Sequence, residues 1–178
     1  RTEWHFGQTA VNVLMIGIAE GGIAYPVVWS VLGHGGGSGA GEHTDLLEQF
    51  LRLVEPDELR ALVADREFTG SDFLKELDQR EIPFVIRLKK DRRIGPSSRE
   101  SSGEWSLPVK MFARTCQPGQ VSQLPAPTGL GAAESVECQV TTRRLEEDSF
   151  LILAWREVAP ESMLDLYRQR WAIETLFA

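Results

Sequence analysis

Between residues 11 and 91, short apolar β-branched runs alternate with segments of helical periodicity, which restricts the fold to a sheet carrying helices on its faces. Val11–Glu20 and Ala24–Leu32 read as two strands joined by the turn Glu20-Gly21-Gly22. Thr44–Val54 repeats its apolar positions at helical spacing, with Thr44 or Asp45 as the cap. Leu59–Ala64 reads as a strand ending on Asp65, Ser71–Gln79 as a helix capped by Thr69 or Ser71, and Pro83–Leu88 as the next strand. After Asp91, glycine, proline and serine become frequent and helical periodicity is lost. Trp105–Thr115, Glu137–Leu145 and Phe150–Trp155 read there as strands of an all-β insertion. The helical pattern returns over Pro160–Ala178, with Pro160 in the first turn. Three segments are therefore expected: residues 1–91 as the first part of an α/β core, 92–158 as a β-rich insertion, and 159–178 as a core helix.

Hydrophobic content of 42% suits a folded globular chain, and the apolar run near Val11–Ala19 is broken by Asn12 and too short for a bilayer. No basic leader precedes an apolar block, so a cytoplasmic protein without membrane contact is expected. Cys116 and Cys138 lack C-x-x-C spacing; they read as reduced thiols, with a disulfide as the alternative. The net charge of −7 weighs against nucleic-acid binding over the whole surface. Charge is local, however: Arg87, Lys89, Lys90, Arg92 and Arg93 oppose only Asp91 in one short run. Alone, that run reads as a solvated strand end; directly after the strand IPFVIRL it is a candidate phosphate contact. The glycine run Gly33–Gly41 lacks the lysine and hydroxyl residue of a phosphate-cradling loop and reads as a connection.

Tyr167, Arg170 and Glu174 are spaced three and then four apart, which stacks them on one helix face. Asp65 ends the apolar run ALVAD, so a strand tip delivers one carboxylate. One carboxylate from a strand end and another from a helix face suit magnesium-dependent phosphoryl transfer, because magnesium prefers hard oxygen ligands. Taken singly, Asp65 reads as a turn cap, Glu174 as a solvated side chain, and Tyr167 and Trp171 as core; the combination favours the site. Arg66 and Glu67 read equally as structural pairs or as neighbours of the site. His5, His34 and His43 lack ligand spacing and take no role.

The signature Tyr167-x-x-Arg170-Trp171-x-Ile173-Glu174-x-x-Phe177 resembles that of bacterial insertion-sequence DDE transposases of the Y-R-E-K type. Ala64-Asp65-Arg66-Glu67-Phe68 resembles the surroundings of that family's second acidic residue, and residues 1–32 resemble the two strands after its first. The resemblance implies a ribonuclease-H-like mixed sheet flanked by helices, with the all-β insertion before the last helix. It makes Asp65 and Glu174 catalytic and metal-binding, with magnesium, or manganese as the alternative. It places the first catalytic aspartate just before Arg1 and the signature lysine seven residues after Glu174, both outside the chain, so a fragment inactive by itself is expected. Tyr167, Arg170 and Trp171 are assigned to DNA, with Arg87, Lys89, Lys90, Arg92 and Arg93 from the basic run. Implied partners are transposon-end DNA and target DNA, with a homodimer in the synaptic complex. Two functions follow: cleavage of transposon ends with strand transfer, or a catalytically inactive truncated remnant that keeps the fold.

Overall fold

The computed structural model describes residues 2–6, 9–34, 37–96, 106–125, 128–130, 136–146 and 149–177. Strands β1 (Thr2–Phe6), β2 (Thr9–Glu20) and β3 (Ile23–Leu32) form an antiparallel three-stranded sheet. The expected β2–β3 hairpin is present, and both turn residues, Gly21 and Gly22, have positive φ, as a two-residue turn of this hand requires.

Helix α1 (Ala40–Leu51) begins four residues before the expected cap. Gly39 caps it instead, because the Glu42 carboxylate accepts the Gly39 amide at 2.6 Å. A 3-10 turn at Pro56–Glu58 shortens the next strand to β4 (Leu62–Ala64). Helix α2 (Ser71–Gln79) has the expected bounds, with Gly70 at its cap. It ends in a Schellman turn: Ile82 donates to the Leu77 carbonyl at 2.9 Å, and Glu81 takes positive φ where glycine is usual.

Strand β5 (Phe84–Arg87) lies parallel to β4. Beyond it come β6 (Arg93–Pro96), β7 (Leu107–Pro108), α3 (Lys110–Ala113), β8 (Val121–Gln123), β9 (Thr128–Leu130), β10 (Val136–Glu146) and β11 (Ser149–Arg156). The strand expected over Trp105–Thr115 is corrected: two strand residues lead into a helical turn, and Trp105 lies outside the described residues. The turn is helical because Val109 and Ala113, four apart, both enter the core fully buried.

These strands do not stand apart from the first half of the chain. β11 pairs with β5 and β10 with β11, so one eight-stranded mixed sheet runs β4-β5-β11-β10-β9-β6-β7, with β8 also on β10. Alternation along β5 and β11 divides the core by face. Phe84, Ile86, Ile152 and Ala154 meet Phe73, Leu74 and Leu77 of α2. Val85, Leu153 and Trp155 meet Met163, Leu166 and Tyr167 of α4 (Pro160–Arg168) on the other face. Both faces are covered, which is why these strands read as continuous apolar runs. The Trp155 indole donates to Thr141 Oγ1 at 2.9 Å, satisfying its one buried polar group.

The helix expected over Pro160–Ala178 is α-helical only to Arg168. Gln169–Phe177 continues as a 3-10 helix, which begins where the Gln169 amide turns to the Leu166 carbonyl, three residues back. That segment packs on β2, β3 and β4, and Arg170 within it reaches Asp65 at the tip of β4. Cys116 and Cys138 are free and buried, and burial pushes the Cys138 thiol up to about 12.

Candidate active site

Parallel pairing of β4 and β5 sets Ala64 beside Ile86, so the carboxyl ends of both strands open at one place. Asp65 leaves the first and Arg87 ends the second. The chain turns tightly after Asp65: its carbonyl accepts the Phe68 amide at 3.0 Å, and its Oδ1 accepts the Arg66 amide at 2.8 Å. The other oxygen, Oδ2, faces Arg170 Nη1 at 3.9 Å. The same nitrogen donates to Glu174 Oε1 at 2.9 Å. Two carboxylate oxygens separated by 109 residues of chain thus lie less than about 7 Å apart, bounded by their common partner.

The signature residues divide by exposure. Tyr167 is buried against the α4 face of the sheet, and its hydroxyl makes no hydrogen bond of good geometry. Burial raises its pKa and the Asp65 charge raises it further, while Arg170 and Arg87 pull it down. That joint influence ties Arg87 to the group. The Arg170 side chain is only 13% exposed, with its guanidinium carbon 4.7 Å from the Trp171 ring and 5.9 Å from the Tyr167 ring. Trp171 is 59% exposed, so an open aromatic ring adjoins Arg170.

The rest of the basic run is dispersed. Lys89 and Lys90 are exposed; Arg93 bonds Ser106, and Asp91 pairs with Lys110. Arg92 is half-buried, and burial lowers its pKa. Only Arg87 of these five is joined to Asp65 and Tyr167 by the contacts and fields described.

His43, given no role from sequence, supports the turn after Asp65. It is 3% exposed, stacks on Phe68 at 4.3 Å and meets Phe73 edge-on at 5.7 Å, while its Nε2 bonds Ser38 Oγ at 2.6 Å. The available signal was its place three, four and seven residues before Leu46, Leu47 and Phe50, on the buried stripe of α1. Burial lowers the His43 pKa, opposed by the Glu67 and Glu42 charges. A depressed imidazole contributes stability above the ordinary histidine range and loses it as pH falls towards the folded value. Acid unfolding of His43→Phe should therefore lack the part of the wild-type stability loss that falls between about pH 6.5 and the lower folded value, as urea midpoints at several pH values would show.

Among the described residues, no three His, Cys, Asp or Glu side chains gather to hold a metal. Asp65 and Glu174 nonetheless fit part of such a site: both are hard oxygen donors, and both already converge on one cationic nitrogen. A mixed sheet with parallel β4 and β5 at one end and helices on both faces is the architecture of a ribonuclease-H-like domain. The profile of the family described as "Transposase DDE domain" matches residues 31–178. The chain belongs to that family, which acts on DNA by phosphoryl transfer and generally depends on divalent metal ions. Comparison with curated proteins returns no match. Among the described residues, no helix is long and apolar enough to cross a membrane.

Proposed function

We propose that Asp65 and Glu174 are the divalent-cation ligands of a bacterial insertion-sequence transposase of the Y-R-E-K type, one that cuts transposon ends and joins them to target DNA. The observation carrying this reading is the convergence of both carboxylates on Arg170. Bound magnesium, or manganese, held by Asp65 and Glu174 would supply Lewis-acid activation of the attacking and leaving oxygens. The chain's own residues hold the DNA. Arg87 and Arg170 offer forked donors for phosphate oxygens, and both act on the Tyr167 hydroxyl, which has no well-formed hydrogen bond of its own. Trp171 offers an exposed ring on which an unstacked terminal base rests, a contact that contributes about 1–3 kcal/mol. Lys89 and Lys90, exposed just beyond β5, are read as further phosphate contacts, and Arg92 and Arg93, which lie apart from the carboxylates, as more distant ones. Residues 92–158 are assigned as the insertion between core segments 1–91 and 159–178, one whose strands β10 and β11 continue the sheet of β4 and β5, and two copies pair in the synaptic complex of a cytoplasmic, nucleoid-acting enzyme.

The second reading is a catalytically inactive truncated remnant that keeps the fold. End-labelled transposon-end DNA incubated with magnesium separates the two. The 178-residue chain alone should leave it uncut, whereas the intact transposase should release the end and join it to target. Cleavage by the chain alone, lost in Asp65→Ala, would show that a third ligand comes from elsewhere within it. In the intact protein, Arg87→Ala should weaken end binding and reduce its salt dependence by about one ion. An unchanged salt slope would return Arg87 to a structural role.

A further inference from the structure

We propose that Arg170 is a positioning residue that holds Asp65 and Glu174 together before any divalent cation binds, and that the cation displaces it. This rests on the reading of the two carboxylates as cation ligands. A single nitrogen, Nη1, reaches both: Glu174 in a short hydrogen bond and Asp65 as a longer ion pair. Without that positive charge, two carboxylates this close would repel each other and spread. With it, they stand approximately where a cation finds both.

The same geometry makes the arrangement exclusive. A divalent ion between Asp65 and Glu174 would lie against a guanidinium of like sign, in surroundings where Arg170 is mostly shielded from water. Arg170 is also loosely held for a shielded arginine. Its Nε has no hydrogen-bond partner, and the Asp65 contact is long. Its guanidinium carbon lies over the Trp171 ring, and Trp171 is exposed, so the guanidinium has an aromatic surface along which to turn outwards. Turned outwards, it presents free donors beside the site to a phosphate. Cation loading and grip on DNA are then linked, and linkage requires the effect to be reciprocal.

Manganese binding, followed by the loss of the free-ion paramagnetic resonance signal, tests the displacement without reference to catalysis. In the 178-residue chain, Arg170→Gln should bind manganese about tenfold more tightly than wild type, since the competing charge is gone. Arg170→Lys keeps that charge and should stay near wild type; Arg170→Met replaces the glutamine variant should the latter not fold. Asp65→Asn and Glu174→Gln should each lose the binding. If those two bind manganese like wild type, the ligand reading itself fails. If they lose binding but Arg170→Gln binds equally or more weakly than wild type, the ligands stand and the displacement is overturned.

Discussion

Phe84→Ala is expected to destabilise the domain by about 3–5 kcal/mol, a large fraction of the margin of an ordinary fold. Phe84 is fully buried and is the largest such side chain among the described residues. It opens β5, the strand that joins β4 on one side to β11 on the other, with Leu62 and Arg156 as its register partners. Its ring belongs to the cluster that includes Leu74 and Leu77 of α2 and Ile152 and Ala154 of β11. Truncation leaves a cavity bordered by both a helix and two sheet neighbours, which cannot all collapse inwards together. A chain of this length should lose on the order of 10 °C in Tm. Urea unfolding should show a lower midpoint with the slope retained. A loss under about 1 kcal/mol would mean that the core in front of β5 is plastic, and that this strand does not anchor the two carboxyl ends at the site.

Much of this centre was legible because its signals are local. Ser71–Gln79 has an apolar stripe and glycine before it, so its bounds follow from periodicity alone. Asp65 ends an apolar run, and the tip of a buried strand is where such a run must stop. The spacing of Tyr167, Arg170 and Glu174 anticipated a shared neighbourhood, and it survives the change from α to 3-10 geometry after Arg168. What stayed hidden depends on distant partners. No local pattern says that β11 pairs with β5, or that β10 and β11 extend the same sheet as β4. The helical turn at Lys110–Ala113 is short, and tertiary burial of Val109 and Ala113 decides it. The start of α1 was masked by its glycines, although Glu42 was present to cap Gly39. The basic run looked like one patch. Strand alternation splits it, turning Arg87 to the face that carries Tyr167 while Leu88 enters the opposite cluster.

Asp65→Asn and Glu174→Gln are each expected to lower end cleavage by the intact transposase on the order of a thousandfold or more, about 4 kcal/mol of barrier. Either change keeps shape and removes the negative charge through which the side chain would hold a cation. Folding should hardly respond: the two side chains are 34% and 47% exposed, so neither supports the core. Asp65→Asn leaves Arg170 its 2.9 Å bond to Glu174, and Glu174→Gln leaves it the longer contact to Asp65. Thermal midpoints close to wild type would therefore separate a catalytic loss from a structural one. End-DNA affinity measured without divalent cation should persist as well, because Arg87, Trp171 and the lysines beyond β5 are untouched. A sharper discrimination comes from Asp65→Cys, since sulfur is a poor ligand for magnesium and a better one for manganese. Cleavage absent with magnesium but recovered with manganese would identify the Asp65 side chain as a direct ligand. Equal activity of Asp65→Asn and wild type in magnesium would remove Asp65 from the chemistry and leave it as the residue that closes the turn after β4.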